Sequence, residues 1–148
     1  MEIREVKTIE EARICDELLT LLIRDESKYN KAIDENFTVN NYFENIYFNK
    51  NNNLLIALIN DEIVGYVFAK EIANDETIKS VLIDGLFVKE EYRNQGIASA
   101  LIENIVKVIK EKGITAIKIK VMSNNTNAIH LYQKYGFEEL SKEMINYI

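Results

Sequence analysis

The residues whose types and spacing can do chemistry lie first in Leu86-Phe87-Val88-Lys89-Glu90-Glu91-Tyr92-Arg93-Asn94-Gln95-Gly96-Ile97-Ala98. An apolar strand runs into a short polar turn, and the turn into a long amphipathic stretch. A helix that starts there offers unpaired backbone N–H groups and the positive end of its dipole, which together bind phosphate. Gly96, Ala98 and Ser99 are small, so a pyrophosphate can come close to the backbone. Arg93 adds a positive charge beside it. The order is not that of a P-loop, because GxxxxGK[ST] is missing, nor of a dinucleotide fingerprint, because GxGxxG is missing. Read alone, the segment is better taken as a turn shaped by one glycine, with Arg93 solvated.

A second segment follows the next apolar run: Asn125-Thr126-Asn127-Ala128-Ile129-His130-Leu131-Tyr132-Gln133-Lys134-Tyr135-Gly136-Phe137. Together the two segments resemble the GNAT superfamily of acetyl-coenzyme A-dependent N-acetyltransferases. That family's Q/R-x-x-G-x-G/A is matched by Arg93, Gly96 and Ala98. Its N-x-x-A-x-x-L-Y-x-x-x-G-F is matched by Asn125, Ala128, Leu131, Tyr132, Gly136 and Phe137. Both stand in order, each at a strand-to-helix junction, over roughly residues 63–137.

The resemblance implies acetyl-CoA as cosubstrate, a primary amine as acceptor, direct attack on the thioester and no metal. The backbone from Arg93 through Asn94, Gln95, Gly96, Ile97 and Ala98 to Ser99 would hold the pyrophosphate. Leu86, Phe87 and Val88 would pair with the pantetheine arm as if it were an added strand, and their amides would polarise the thioester carbonyl. Asn125 would reach the coenzyme from the other side. Tyr132 would protonate the leaving thiolate, a task that suits a group whose proton is held at neutral pH. The competing reading of Tyr132 is a packed aromatic.

The acceptor must lose a proton. Asp84, on the strand leading into the turn, is the best-placed base, directly or through a water. Strand alternation puts it on the face of Leu86 and Val88. It can equally be a strand-end residue making an ordinary hydrogen bond. The Asp84-Gly85 pair is similar to a pattern among aminoglycoside-type members and occurs elsewhere too. The region from Arg24 to Asn53 would help to form the acceptor site. It carries Asp25, Glu26, Asp34 and Glu35 against Lys28 and Lys31, with Tyr29, Phe37, Tyr42, Phe43, Tyr47 and Phe48 as aromatic surface. Aromatics with carboxylates suit a cationic amine, an aminoglycoside or polyamine for example, and a peptide or protein amine remains open. A coenzyme-binding sensor or interaction domain without catalysis is the alternative. His130, two residues from Tyr132, points to another helix face, and Cys15 reads as buried core.

These groups need a scaffold. Ile3 to Val6 predicts a first strand, and Thr8 with Glu11 a capped helix whose apolar residues are Ile14, Leu18, Leu21 and Leu22. A short helix is expected over Asn40 to Phe48. Leu54 to Ile59 and Ile63 to Ala69 predict a hairpin turning at Asn60-Asp61-Glu62. Ile78 to Val88 predicts a long strand, Ile97 to Lys112 a helix closed by Gly113, Ala116 to Val121 a strand, and Asn125 to Tyr135 a helix ended by Gly136. Phe137 to Ile148 predicts a last strand or hairpin. The order is mixed α/β. With the resemblance it implies one domain over residues 1–148, with a mostly antiparallel central sheet, a splayed parallel strand pair and about four flanking helices.

The chain has 148 residues, a net charge of -6, one cysteine and no proline. The acidic balance argues against a nucleic-acid partner. No apolar run is long enough to span a membrane. The mixed-charge N-terminal residues do not read as a signal peptide, and a single cysteine makes a reducing, cytoplasmic location the default. A monomer or homodimer is expected.

Overall fold

The computed structural model describes residues 1–48, 53–72 and 77–148. Five strands form one sheet: β1 (Glu2–Glu5), β2 (Asn53–Ile59), β3 (Glu62–Glu71), β4 (Ser80–Val88) and β5 (Ala116–Ile119), side by side in that order. β1 to β4 are antiparallel, and β5 lies parallel to β4. The helices are α1 (Ile9–Glu26), α2 (Tyr42–Tyr47), α3 (Ile97–Glu111) and α4 (Thr126–Lys134), with a 3-10 turn at Glu90–Tyr92.

The local signals act as physical chemistry requires. Thr8 caps α1 by accepting from the Glu11 amide at 3.1 Å, a contact worth about 1 kcal/mol. Glu11 returns to the Lys7 amide at 2.7 Å and grips Arg4 of β1. The Arg4 guanidinium holds the Glu11 carboxyl at about 2. Asn60 and Asp61 both take positive φ, 50° and 65°. That pair of left-handed residues is what a two-residue turn between twisted strands demands. α3 presents Ile97, Leu101, Ile102, Ile105 and Ile109 to the protein interior, and Gly113 at φ 75° stops it.

The sheet separates two apolar layers. On one face α3 packs on Leu55, Ala57, Val64, Val67, Val81, Ile83 and Val88. On the other, α1 and α2 bring Ala12, Cys15, Leu18 and Phe43 against Leu54, Ile56, Tyr66, Phe68 and Phe87. Leu21, expected on the inner face of α1, is 41% exposed. The stripe runs through Ala12, Cys15 and Leu18 instead, and Leu21 falls outside it.

Two expectations need correction. β5 ends at Ile119, so Lys120 and Val121 are not part of the strand. Residues 138–148 form no strand, and Leu140, Met144, Ile145 and Ile148 are exposed. Their apolar pattern suits a strand, but a strand exists only where a neighbour supplies its ladder. Of the polar stretch between α1 and β2, residues 49–52 lie outside the described residues. Among the described residues no helix is long and apolar enough to cross a membrane.

Gly65 stands opposite Val88, and a Cβ there would come within 2.7 Å of the Phe87 carbonyl oxygen. Backbone cannot yield as a side chain can. Gly65→Ala is expected to lower unfolding stability by roughly 1–3 kcal/mol, the usual cost of overpacking. Denaturant melts of both chains measure it, and an unchanged midpoint would refute the close approach.

Candidate active site

The site begins with a break in strand pairing. β4 and β5 pair from Ser80↔Ala116 to Ile83↔Ile119 and no further. β4 continues to Val88, so residues 84–88 have no partner on the β5 side. At the same point β4 bulges. Phe68 of β3 faces Gly85 and Ala69 faces Ile83, which leaves Asp84 as the extra residue. The sheet thus splays where the sequence expected it to, and Leu86, Phe87 and Val88 border the gap.

Below the gap lies the start of α3. Asn94 and Gly96 have φ of 62° and 81°, which turns the chain sharply before the helix. The first backbone-bonded amide is that of Ala100, which donates to the Gly96 carbonyl at 3.0 Å. No side chain caps the helix. Among the described residues the amides of Ile97, Ala98 and Ser99 therefore have no acceptor. A Cβ on Gly96 would meet nothing within 4 Å. The space beside it is open, as a cradle for a pyrophosphate must be.

Arg93 is placed differently from the sequence expectation. Its Nε donates to the Val88 carbonyl at 2.8 Å, one Nη pairs with Asp25 at 2.7 Å, and the guanidinium lies 5.3 Å from the Phe87 ring centroid. The side chain ties the turn to the end of α1 and to β4. An anion at this turn would meet backbone amides rather than a free Arg93 guanidinium.

α4 closes the other side. Asn125 accepts from the Ala128 amide at 3.3 Å, so its carbonyl serves as the helix cap. Tyr132 is half-buried, edge-on to Phe137 at 5.9 Å between centroids. Its hydroxyl is pushed up to about 12, first by burial and then by the charge of Glu26. His130 is exposed. Cys15 is fully buried, and burial raises its thiol far above the ordinary value.

On the α1 side of the sheet lies a cavity of about 250 Å³, walled by Leu22, Ile23 and Glu26 of α1, Tyr42 and Phe43 of α2, Phe68 and Asp84. Asp84 pairs with Lys70 at 3.1 Å and accepts from the Tyr42 hydroxyl at 3.5 Å. It does not share a face with Leu86 and Val88, which pack toward α3. A one-residue bulge shifts the two-residue period, so simple alternation fails there. Glu26 is half-buried, and its carboxyl is raised above the ordinary value, first by burial and then by Asp84.

Among the expected aromatics, Tyr42 and Phe43 line this cavity, and Phe37 lines a neighbouring one of about 480 Å³. Tyr47 donates to the Lys7 carbonyl instead. Two residues that organise the cavity were not singled out in the sequence. Buried Asp16 accepts from the Phe43 amide at 2.8 Å and so fixes α2 on α1. Lys70 answers Asp84. Lys70 follows an apolar run and looks like any strand-end lysine, so no local pattern marks it.

The sequence pattern of the acetyltransferase (GNAT) family matches residues 16–137, and the chain belongs to that family. It is 32% identical over 79 residues to thialysine N-epsilon-acetyltransferase of Sus scrofa, covering 53% of this chain and 46% of that protein. It is 33% identical over 82 residues to N-alpha-acetyltransferase 30 of Schizosaccharomyces pombe, 55% of each chain. The chain spans about half the length of the curated relatives it matches. The fold is that of a tetramutant of the BH1408 protein from Bacillus halodurans, with a TM-score of 0.86, 24% identity and 100% coverage of both chains.

Gly96→Val fills the open space and forces a branched side chain into a left-handed conformation. Acetyl-CoA affinity is expected to fall at least tenfold, about 1.4 kcal/mol. Calorimetric titration of a variant that melts normally reads this, and unchanged affinity would remove the cradle assignment.

Proposed function

We propose that this chain moves an acetyl group from acetyl-CoA to a primary amine, in a single domain over residues 1–148 that works in the cytoplasm as a monomer or homodimer. The observation that carries the reading is the unpaired edge of β4 beyond Ile83 beside the open amides of α3. One edge suits an extended amide-bearing arm, and the other suits a pyrophosphate. Acetyl-CoA, when bound, supplies an activated acetyl thioester. Amides of Leu86, Phe87 and Val88 hold the arm and draw electrons from the thioester carbonyl. Asn94, Gln95, Gly96, Ile97, Ala98 and Ser99 surround the pyrophosphate, and Asn125 borders the coenzyme from α4. Tyr132 gives its hydroxyl proton to the departing sulfur.

The acceptor enters from the cavity on the α1 side. Its wall joins carboxylates to aromatic rings, which favours an amine that carries positive charge. Asp84 is the base that the sequence indicates. Similarity to a thialysine enzyme and to a protein N-alpha enzyme supports both small-molecule and peptide amines as acceptors. A panel of thialysine, spermidine, kanamycin and a peptide with a free α-amine tests the reading, with release of free thiol from acetyl-CoA as the signal. Binding of acetyl-CoA without thiol release on any of the four would favour a sensor without catalysis.

Tyr132→Phe keeps the ring against Phe137 and removes only the hydroxyl. If Tyr132 protonates the sulfur, kcat should fall toward the low end of the general-acid range, roughly 10²-fold, with acetyl-CoA affinity nearly unchanged. A packing role predicts a small loss of stability and little change in turnover. Steady-state rates with the best acceptor of the panel decide. A fall under about threefold, well below the general-acid range, would assign the proton to water.

A further inference from the structure

Asp84 and Glu26 wall one cavity, yet they stand in different electrostatic positions. Asp84 has its charge committed to Lys70 at 3.1 Å and also accepts from Tyr42. The Glu26 carboxylate has no cation and no hydrogen-bond donor among the described residues. Its location is nevertheless fixed. Asp25, the preceding residue, is clamped by Arg93 at 2.7 Å, and Arg93 holds the Val88 carbonyl. The last turn of α1 is thereby pinned to the end of β4, where the thioester would lie.

Two tyrosines report the same placement. Tyr132 on α4 feels the Glu26 charge, so Glu26 lies toward α4 as well as toward Asp84. Tyr66 is completely buried, and its hydroxyl has no hydrogen-bond partner among the described residues. That hydroxyl lies against Gly85 and feels Glu26, Asp84 and Tyr42. Unsatisfied buried hydroxyls are rare in proteins, and this one stands behind the cavity wall. The cavity sets this carboxylate beside Asp84, with Tyr66 behind the wall, and among the described residues no cation or donor claims it.

We infer that Glu26 takes the proton from the acceptor's ammonium group, and that Asp84, tied to Lys70, anchors the acceptor instead of deprotonating it. This rests on the acetyl-transfer reading. The nitrogen loses one proton to Glu26 and becomes nucleophilic. It then bonds to the acetyl carbon, and the carbon–sulfur bond breaks. Tyr132 gives its proton to sulfur, and the second proton lost by nitrogen restores the tyrosine hydroxyl. Glu26 passes its proton to water. The sum is ammonium plus thioester to amide, thiol and one released proton.

A free carboxylate whose proton affinity is raised suits this task, because a base must hold the proton it takes. The groups that face Glu26 are Asp84 with Lys70 across the cavity, Tyr42 on α2, Tyr66 on β3, Tyr132 on α4 and the Asp25–Arg93 pair beside it. Asp84 is the one whose charge strengthens the raising effect of burial.

The test is a pH profile of kcat/KM for the unaltered chain, Glu26→Gln and Asp84→Asn, with the fastest acceptor of the panel. The unaltered chain should lose activity as pH falls through the raised Glu26 value. Glu26→Gln should lower kcat roughly 10²–10⁴-fold and abolish that acidic limb, with acetyl-CoA affinity by calorimetry unchanged. Asp84→Asn should raise the acceptor KM and move the limb to lower pH without removing it. A Glu26→Gln chain with the limb intact and kcat within about threefold of the unaltered chain, below the general-base range, overturns the inference. If Glu26→Gln does not fold, Asp84→Asn decides by itself: a vanished limb makes Asp84 the base. No thiol release by the unaltered chain on any acceptor would instead sink the acetyl-transfer reading, and Glu26 with it.

Discussion

Beyond Ile83 the backbone of β4 carries hydrogen-bonding groups on one edge that no strand among the described residues meets. Backbone groups left without partners are costly once water is excluded, so an edge opened inside a sheet has to be filled or solvated. The rest of the architecture is arranged around that opening. β5 is only long enough to pair as far as Ile83. α3 follows β4 through the turn that Arg93 ties to the Val88 carbonyl, and its first amides are unbonded among the described residues. α4 follows β5 and brings Tyr132 to the opposite bank. The bulge at Asp84 coincides with the last β4–β5 pair and turns a carboxylate toward α1. In the proposed function, one unmet strand edge would thus define a coenzyme side and an acceptor side at once.

The second organising principle is how the acids are matched. Arg4 takes Glu11, Arg93 takes Asp25, and Lys70 takes Asp84. Asp16, though raised by burial, receives backbone amides at the start of α2. Each of these pairings holds two elements together: β1 to α1, the coenzyme turn to α1, β3 to β4, α2 to α1. The partly exposed Asp25–Arg93 and Lys70–Asp84 pairs add little stability, whereas the buried Asp16 contact is costly to lose. Their effect is positional, because they fix the walls of the cavity relative to the end of β4.

Much of this was legible in the sequence because it depends on local rules. A left-handed Asn60-Asp61 turn, a threonine cap, glycines that end α3 and α4, and a 3.6-residue apolar stripe are each written within a few residues. The splayed strand pair followed from the family resemblance that the two strand-to-helix junctions carry. The face of Asp84 was not legible, because the bulge depends on the register of β3 against β4. The partner of Arg93 was not legible either, since Asp25 lies far away in the chain. Glu26 did leave a trace. It continues the helical spacing of Cys15, Leu18 and Leu22, and an acid on the buried side of an apolar stripe is the kind of exception worth following. The strand pattern after Phe137 misled for the converse reason: alternation states what a strand would bury, not whether a neighbour is there to pair with it.

In the proposed transfer, Glu26 and Tyr132 would together solve a problem that neither solves alone. A tyrosine held near 12 is a poor donor to a thiolate whose own affinity lies near the ordinary thiol value of about 8.5. Burial accounts for most of that elevation, and the negative charge of Glu26 adds to it. Once Glu26 has taken the ammonium proton, its charge is gone, and the tyrosine hydroxyl becomes easier to ionise. The proton uptake that creates the nucleophile therefore readies the acid that the leaving sulfur needs. Before the acceptor arrives, the same charge keeps the tyrosine proton in place. In the proposed transfer the two groups would act in sequence, without any movement of the chain, because each protonation changes the field that the other one feels.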